Sequence, residues 1–256
     1  MTPTKIQTAR FFEGAQHRNS LPMGYNLYRR VSNEPNYNSS LDKERSLLFP
    51  LYLTSFCLWD YLKDKDWYGA QQILVLSASS KTSIGLGYAL KDDPEAPTAI
   101  GVTSNRNEDT LNNLAIWDKI ITYKNIAAID NKTPTVIVDM SGNGELLKIL
   151  SDHLRDQLKF TLKVGLTHWG KAAPPAGGKD TKSTFFFAPS HIEKRFRDWG
   201  PAEFDKKTNG FLMSAAKRTR AWLDFNELNG LEALAAVHIE VCNGTRSPKE
   251  GIIIKM

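Results

Sequence analysis

The segment from Ser77 to Ser83 combines a hydroxyl-rich turn with a lysine, a set of groups that can bind an anion. An apolar run ends at Leu76, the turn follows, and a helix is predicted to begin near Lys81. This order of strand, turn and helix is typical of a site for dinucleotide phosphates, although glycine usually stands where this chain has Ser77, Ser80 and Ser83. A lysine in the first helical turn opposes the helix dipole unless an anion is near. The segment therefore predicts phosphate binding, with a structural serine cap and a solvated lysine as the alternative.

The second predicted strand, residues 98–102, leads into Ser104 and Arg106. A site for NAD usually has an acidic residue here, which hydrogen-bonds the ribose hydroxyls. Serine and arginine instead suit a 2′-phosphate, so this segment predicts NADP rather than NAD as the cofactor. An arginine that is solvated in a loop is the alternative interpretation.

Polar residues also follow the fourth and fifth predicted strands. Asp139 ends the segment 135–139, and His168 lies just beyond the segment 159–166. Open α/β sheets bind ligands beyond the carboxyl ends of their strands, so both positions belong to the candidate site. His168 is a candidate proton donor, with a structural histidine as the alternative, whereas Asp139 is predicted to organise its loop.

Apolar segments alternate with helical segments, and this alternation predicts an α/β fold with parallel strands and right-handed crossovers. The strands are apolar throughout rather than alternating, which indicates a sheet covered by helices on both faces. We expect a Rossmann-like, mostly parallel sheet in a domain over residues 47–256, preceded by an irregular N-terminal arm over residues 1–46. The predicted strands are residues 73–76, 98–102, 119–122, 135–139 and 159–166, and the helices between them are 81–91, 108–114 and 144–158.

Five further segments complete the predicted organisation. Residues 47–62 are strongly apolar and predict a helix, with Pro50 near its start. Residues 170–184 are rich in Gly, Pro, Lys and Ser, and a loop of that length predicts a functional lid. Two C-terminal helices are expected near residues 211–224 and 228–241, followed by a short strand at 251–256.

The composition limits the classes of partner. The chain has 33 Lys and Arg against 28 Asp and Glu residues, a net charge of +5 that suits anionic ligands. These basic residues are scattered rather than arranged in a stripe with aromatics, so no nucleic-acid partner is predicted. No apolar run reaches the roughly 20 residues of a membrane span, and the N-terminus lacks the apolar core of a signal peptide, so no membrane partner is predicted.

The cysteines and histidines suggest neither a disulfide framework nor a metal site. Cys57 and Cys242 lie far apart in the sequence and in apolar surroundings, which predicts free buried thiols and a cytoplasmic location. The five histidines and two cysteines show no metal-ligand spacing. We therefore predict no metal.

The chain resembles the nucleotide-binding half of the medium-chain dehydrogenase/reductase superfamily, of the quinone-oxidoreductase type, and more closely an uncharacterised branch of it. The resemblance covers the chain from about Gly14 to its C-terminus. The runs that carry it include Leu76-Ser-Ala-Ser-Ser-Lys-Thr82, Gly101-Val-Thr-Ser104, Val138-Asp-Met-Ser-Gly142 and Gly165-Leu-Thr-His-Trp169. It implies a small-molecule substrate and agrees with the NADP predicted from Ser104 and Arg106, and we also predict a homodimer. Members of the superfamily carry a GroES-like β-barrel before this half, and we expect the chain to lack that domain.

The resemblance also implies a role for each candidate residue. The serine turn would hold the pyrophosphate, Ser104 and Arg106 would face the adenosine ribose, and Tyr123 would flank the phosphate at that end. Ser141 and Gly142, with Gly165 to Thr167, would line the nicotinamide side. His168 or a tyrosine would supply a proton. The cofactor-binding candidates are Ser77, Ser79, Ser80, Lys81, Thr82, Ser104, Arg106, Tyr123, Ser141, Gly142, Gly165 and Thr167, and the catalytic candidates are His168, Tyr25 and Tyr28.

These features favour an NADP-dependent reductase that acts on a small enone, quinone or carbonyl compound. The alternative is a non-redox isomerase, cyclase or lyase that converts a small natural product and uses no nicotinamide. The serines in place of glycines and the expected lack of the barrel favour this alternative. A third hypothesis is a non-enzymatic subunit that completes a partner chain carrying the barrel.

Overall fold

The computed structural model describes residues 1–21, 23–34, 37–164 and 182–256. The chain divides into two units, Met1–Lys43 and Glu44–Met256. An antiparallel sheet in the first unit makes this segment more regular than its polar composition predicts. Its strands are β1 (Pro3–Thr4), β2 (Arg10–Glu13) and β3 (Leu27–Arg29).

A parallel sheet of six strands forms the centre of the second unit. The strands are β4 (Gln72–Leu76), β5 (Thr98–Thr103), β6 (Lys119–Thr122), β7 (Thr135–Asp139), β8 (Leu158–Lys163) and β9 (Ser183–Phe185). They are rich in β-branched residues, and β4 is buried along its whole length, as expected where helices cover both faces.

The strands lie in the order β6, β5, β4, β7, β8 and β9. The chain builds outward from β4 to one edge, then returns to the other side of β4 and builds outward again. This is the order of a Rossmann-like sheet, and its reversal leaves a crevice at the carboxyl ends of β4 and β7. The α/β fold class predicted from the sequence is confirmed.

The helices of the described residues are α1 (Asp42–Asp64), α2 (Lys81–Asp92), α3 (Asn105–Leu114), α4 (Gly144–Leu154), α5 (Ala188–Trp199), α6 (Pro201–Thr219) and α7 (Gly230–Cys242). They cover both faces of the sheet. Successive side chains of a strand point to opposite faces. Ile73 and Val75 accordingly join an apolar cluster with α1, α2 and α6, whereas Leu74 and Leu76 join a second cluster with α4.

Helices α1 and α2 approach each other closely at Gly85. A Cβ atom there would lie 2.5 Å from Oγ of Ser55 and 2.6 Å from Cδ1 of Tyr52, so a larger residue would force the helices apart. The hydroxyl of Ser55 also donates a hydrogen bond to the carbonyl oxygen of Thr82, at 2.7 Å. These contacts fix the first turn of α2 in place.

A buried charge network joins α5 to α1. Nε and Nη2 of Arg195 donate hydrogen bonds to the two carboxylate oxygens of Asp60, at 2.5 and 3.1 Å. Nε2 of His191 lies 2.6 Å from the same carboxylate. The three residues are only 5–7% exposed. Arg195 also pairs with Asp64 and Asp198, at 3.0 Å each. Since a buried charge is costly unless it is paired, Asp60 depends on Arg195 and His191.

The structure departs from the predicted elements mainly after β8. Helix α6 begins at Pro201, ten residues before the predicted start, and α5 and β9 were not predicted at all. A strand, β10 (Asp224–Asn229), begins where a helix was predicted to end, and it pairs in parallel with β11 (Glu250–Lys255). The starts of α5 and α6 were missed because each carries a proline, which is typical of loops but is also tolerated in the first turn of a helix.

Four other elements differ in their bounds by three residues or more. Helix α3 begins at Asn105, three residues before the predicted start, and α4 ends at Leu154, four residues before the predicted end. Helix α1 begins at Asp42, so Pro50 lies inside the helix and not near its start. Strand β8 ends at Lys163, three residues before the predicted end. All four differences lie at element boundaries, where periodicity carries little information.

Neither cysteine of the chain forms a disulfide. Cys57 is buried within α1, as predicted, but Cys242 is exposed. The prediction of a buried thiol is wrong there, because the last turn of α7 lies at the surface although its sequence is apolar.

Within the four described ranges, no group of three His, Cys, Asp or Glu residues could hold a metal ion. No helix in those ranges has both the length and the apolar character that crossing a membrane requires.

Candidate functional site

The candidate site lies where β4 and β7 end side by side. Leu76 pairs with Asp139 in the parallel register, so the turns that follow leave the same edge of the sheet. The first turn runs from Ser77 to Ser80 and leads into α2, and the second, residues 140–143, leads into α4. Open α/β sheets bind ligands at this point, where the strand order reverses.

The serine turn, residues 77–80, is held by its own hydrogen bonds. Ser77 has a left-handed backbone with φ of 56°, and its carbonyl oxygen accepts a hydrogen bond from the amide of Ser80 at 2.9 Å. The hydroxyl oxygen of Ser80 accepts from the amide of Ser83 at 3.1 Å, and the hydroxyl donates to the Ser83 hydroxyl at 2.8 Å. Ser80 is thus the N-cap of α2, the structural role that the sequence left open.

Two further hydroxyls lie beside this turn. The Tyr123 hydroxyl, just after β6, accepts a hydrogen bond from the backbone amide of Ser77 at 3.0 Å. Burial raises the pKa of Tyr123 above its ordinary value, so the hydroxyl keeps its proton at neutral pH. The hydroxyl oxygen of Ser79 accepts a hydrogen bond from Nδ2 of Asn107, at 2.8 Å. Asn107 was not predicted; its signal in the sequence is its position in the first turn of α3, three residues after Ser104.

The two candidate cations, Lys81 and Arg106, both bond to one loop. Nζ of Lys81 donates to the carbonyl oxygen of Pro248 at 3.2 Å, and Nη2 of Arg106 donates to that of Gly244 at 3.1 Å. These acceptors belong to residues 243–249, the segment between α7 and β11, which we name the 243–249 loop. Burial lowers the pKa of Lys81 below its ordinary value, and the nearby Glu250 opposes that shift. Nothing in the local sequence predicted this loop as part of the site.

The second turn is organised by Asp139. Its Oδ1 accepts hydrogen bonds from the amide of Ser141 at 2.8 Å, the Ser141 hydroxyl at 2.6 Å and the amide of Gly142 at 3.1 Å. Gly142 has a φ of 65°, which a residue with a Cβ rarely adopts. Asn143 then caps α4 by accepting from two amides. Asp139 therefore shapes the loop that presents Ser141 and Gly142, as the sequence predicted.

The remaining candidates are placed as follows. Ser104 occupies the N-cap position of α3 without a side-chain cap bond, and Thr82 is half-buried in the first turn of α2. In the first unit, Tyr28 lies in β3 and stacks on Phe11 at 5.1 Å, and Tyr25 is exposed. Gly165, Thr167 and His168 lie outside the described residues, as do residues 170–181 of the predicted lid. The functional roles of all these residues stay predictions.

The groups around the serine turn are mainly hydrogen-bond donors. They include the hydroxyls of Ser79 and Tyr123, the ammonium of Lys81 and the guanidinium of Arg106. The first amides of α2 also lack partners within their own helix, and a helix N-terminus favours negative charge. This donor set fits the phosphate groups of a dinucleotide, with serine hydroxyls in place of close backbone approach at glycines.

The chain belongs to a protein family. The family model is described as "Protein of unknown function (DUF2855)", and it matches residues 1–247. No curated protein sequence matches the chain. The description of this family names no reaction for its members.

Solved structures share the fold at low sequence identity. The chain is similar to the CurF ER cyclopropanase from the curacin A biosynthetic pathway, with a TM-score of 0.56, 12% identity and coverage of 91% of this chain and 67% of that chain. The yhdH oxidoreductase from Salmonella enterica in complex with NADP is similar with a TM-score of 0.52 and 11% identity, and the match covers 91% of this chain and 67% of that chain. The CurK enoyl reductase is similar with a TM-score of 0.52 and 12% identity, and the match covers 92% of this chain and 67% of that chain.

At such low sequence identity, the structural similarity shows a shared fold and nothing about the reaction. The chain spans about two thirds of the length of each of these three structures. Their fold is the one that the resemblance to medium-chain dehydrogenases and reductases predicted. The expected lack of a GroES-like domain stays a prediction.

Proposed function

We propose that this chain is a reductase-like enzyme that binds NADP and acts on a small enone, quinone or carbonyl compound. The observation that carries the proposal is the donor-rich serine turn at the point where the strand order reverses. That is where a Rossmann-like sheet holds a dinucleotide, and one structure of similar fold is described as a complex with NADP. The similarity to an enoyl reductase supports the class of reaction.

In this proposal the described residues bind and orient the cofactor. The serine turn and Lys81 hold the pyrophosphate, Arg106 and Ser104 face the 2′-phosphate, and Tyr123 flanks that end. Ser141 and Gly142, with Gly165 and Thr167, line the nicotinamide side. Bound NADPH supplies the hydride. His168, Tyr25 and Tyr28 are the candidate proton donors, and a positioned donor typically accelerates such a step about 10²–10⁴-fold.

The test is a calorimetric titration of the full chain with NADPH and with NADH. We expect NADPH to bind and NADH to bind more weakly, and we expect Ser79→Ala to weaken binding of NADPH. Ser151→Ala, on the exposed face of α4, is the matched control and should bind like the wild type. Absence of NADPH binding at millimolar concentration, about −4 kcal/mol of affinity, would contradict the proposal.

A turnover assay separates the proposal from its rival. NADPH oxidation, followed through the absorbance of the reduced cofactor, should require an enone, quinone or aldehyde acceptor. His168→Ala should slow that turnover. Conversion of a substrate without any nicotinamide would favour the non-redox isomerase, cyclase or lyase. The homodimer and the cytoplasmic location stay predictions that sedimentation and cell fractionation can check.

A further inference from the structure

The side chain of Asn107 determines how the Ser79 hydroxyl is used. Asn107 is the third residue of α3, and its Nδ2 donates a hydrogen bond to Oγ of Ser79 at 2.8 Å. Both residues are half-buried at the edge of the sheet where the site lies. Within the described residues, the structure gives the Ser79 hydroxyl no hydrogen-bond acceptor.

A serine hydroxyl has one proton to donate and two lone pairs that accept. At Ser79 a lone pair is used by Asn107, so the proton is left to donate to another group. The neighbouring Ser80 differs, because its hydroxyl donates to Ser83 within the helix cap. Of these two neighbouring serines, Ser79 is therefore the one that offers a donor to a ligand.

We propose that Asn107 is a positioning residue that holds the Ser79 hydroxyl as a donor to a phosphate bound at the serine turn. This inference rests on the proposed function in so far as the phosphate belongs to NADP. Where glycine turns present backbone amides, this turn presents a hydroxyl whose direction is set from α3. The arrangement selects a ligand group that only accepts hydrogen bonds, as an ionised phosphate oxygen does.

The decisive variant is Asn107→Asp. A carboxylate only accepts, so it would attract the Ser79 proton to itself and would also repel an anion. We expect the dissociation constants of NADPH and of inorganic pyrophosphate to rise at least tenfold. The melting temperature of the unliganded protein should stay the same or increase, because an acidic residue in the first turn of a helix is favourable. A structural role alone would lower the melting temperature instead.

Two comparisons separate orientation from charge. Asn112→Asp adds the same charge at an exposed position near the end of α3, and it should leave both affinities within about twofold. In a Ser79→Ala background, the effect of Asn107→Asp should shrink to the part caused by charge alone. The neutral variant Asn107→Ala should still weaken binding about threefold or more. An unchanged affinity in Asn107→Ala, or an equal effect of Asn107→Asp with and without Ser79, would overturn the inference.

The two probes also separate this inference from the proposed function. If pyrophosphate binds and responds to Asn107 while NADPH does not bind, the positioning role stands and the cofactor assignment fails. If NADPH binds equally well to the wild type and to both Asn107 variants, the cofactor assignment stands and the positioning role fails.

Discussion

The ammonium of Lys81 donates a hydrogen bond to the carbonyl oxygen of Pro248, at 3.2 Å and across 167 residues of sequence. Arg106 makes the equivalent contact to Gly244, in the same 243–249 loop. A neutral carbonyl is a weaker partner for a cation than a phosphate is. Both cations are therefore bonded to the 243–249 loop by contacts that a phosphate ligand can replace.

Lys81→Met should weaken NADPH binding without destabilising the unliganded protein. The variant keeps most of the apolar stem and removes a charge that burial and the helix dipole both disfavour. We expect the free energy of unfolding in urea to stay the same or rise. A clear loss of stability together with unchanged affinity would mean that the lysine is structural.

The stability cost of Lys81 should depend on pH. Burial lowers its pKa in the folded state below the ordinary 10.5, so between those two values the unfolded chain binds more protons than the folded one. Stability contributed through this group therefore rises with pH in that window. The difference in unfolding free energy between Lys81→Met and the wild type should shrink as pH approaches 10.5, and a constant difference would contradict this prediction.

Arg106→Ala should reduce affinity for NADPH about tenfold or more and leave affinity for NADH nearly unchanged. An arginine bond to a 2′-phosphate is charge-assisted and worth about 1.5–3 kcal/mol, and NADH has no phosphate at this position. Calorimetric titration with both cofactors measures the two losses. Arg197→Ala, an exposed arginine on α5, serves as the control. Equal losses for both cofactors would remove the assignment of Arg106 to the 2′-phosphate.

The 243–249 loop should exchange its amide hydrogens faster when NADPH is bound. If phosphates take over Lys81 and Arg106, the carbonyls of Pro248 and Gly244 lose their partners and the loop opens more often. Hydrogen exchange followed by mass spectrometry measures this change, and peptides from β4 serve as the internal reference. Slower exchange in the loop on binding would show that it closes over the ligand instead.

Asp60→Asn should destabilise the protein strongly. Asp60 pairs with Arg195 and His191 in a buried network, and removal of one member of a buried pair costs about 3–5 kcal/mol. Asp152→Asn is the control, because its exposed pair with Lys148 one helical turn away is worth about 0.3–0.5 kcal/mol. Urea unfolding compares the two. Similar small losses would show that the network contributes little.

The strands of the sheet could be predicted because burial on both faces makes each one a continuous apolar run. The bounds of β6 and β7 were predicted to the residue, and those of β4 and β5 within one residue. Helix α5 escaped prediction and the start of α6 was placed ten residues late, because polar residues and starting prolines hide their pattern. Cys242, at the end of α7, was wrongly predicted as buried for the opposite reason, since an apolar sequence does not guarantee burial.

The candidate site was located by the same local signals, and its internal contacts were not. A strand, a hydroxyl-rich turn and a following lysine were enough to predict a phosphate site at Ser77–Lys81. The contact between Asn107 and Ser79 joins α3 to the turn before α2, and no spacing in the sequence indicates it. The Ser80 hydroxyl donates within the helix cap, whereas the Ser79 hydroxyl accepts from Asn107. These different roles depend on the direction of each hydroxyl, which the surrounding atoms determine.

The sequence by itself determined the α/β class and the parallel strands, and it predicted the turn at which an anion would bind, because these follow from local patterns of burial and chain conformation. Only the tertiary structure decided that the 243–249 loop bonds to Lys81 and Arg106, that Ser80 caps α2 and that Asn107 directs Ser79. The physical reason is that the loop contacts and the Asn107–Ser79 contact join residues from about 30 to 170 positions apart, whereas the Ser80 cap depends on the direction of a hydroxyl that the sequence leaves open. Their geometry follows from how the helices pack on the sheet, which local periodicity does not encode.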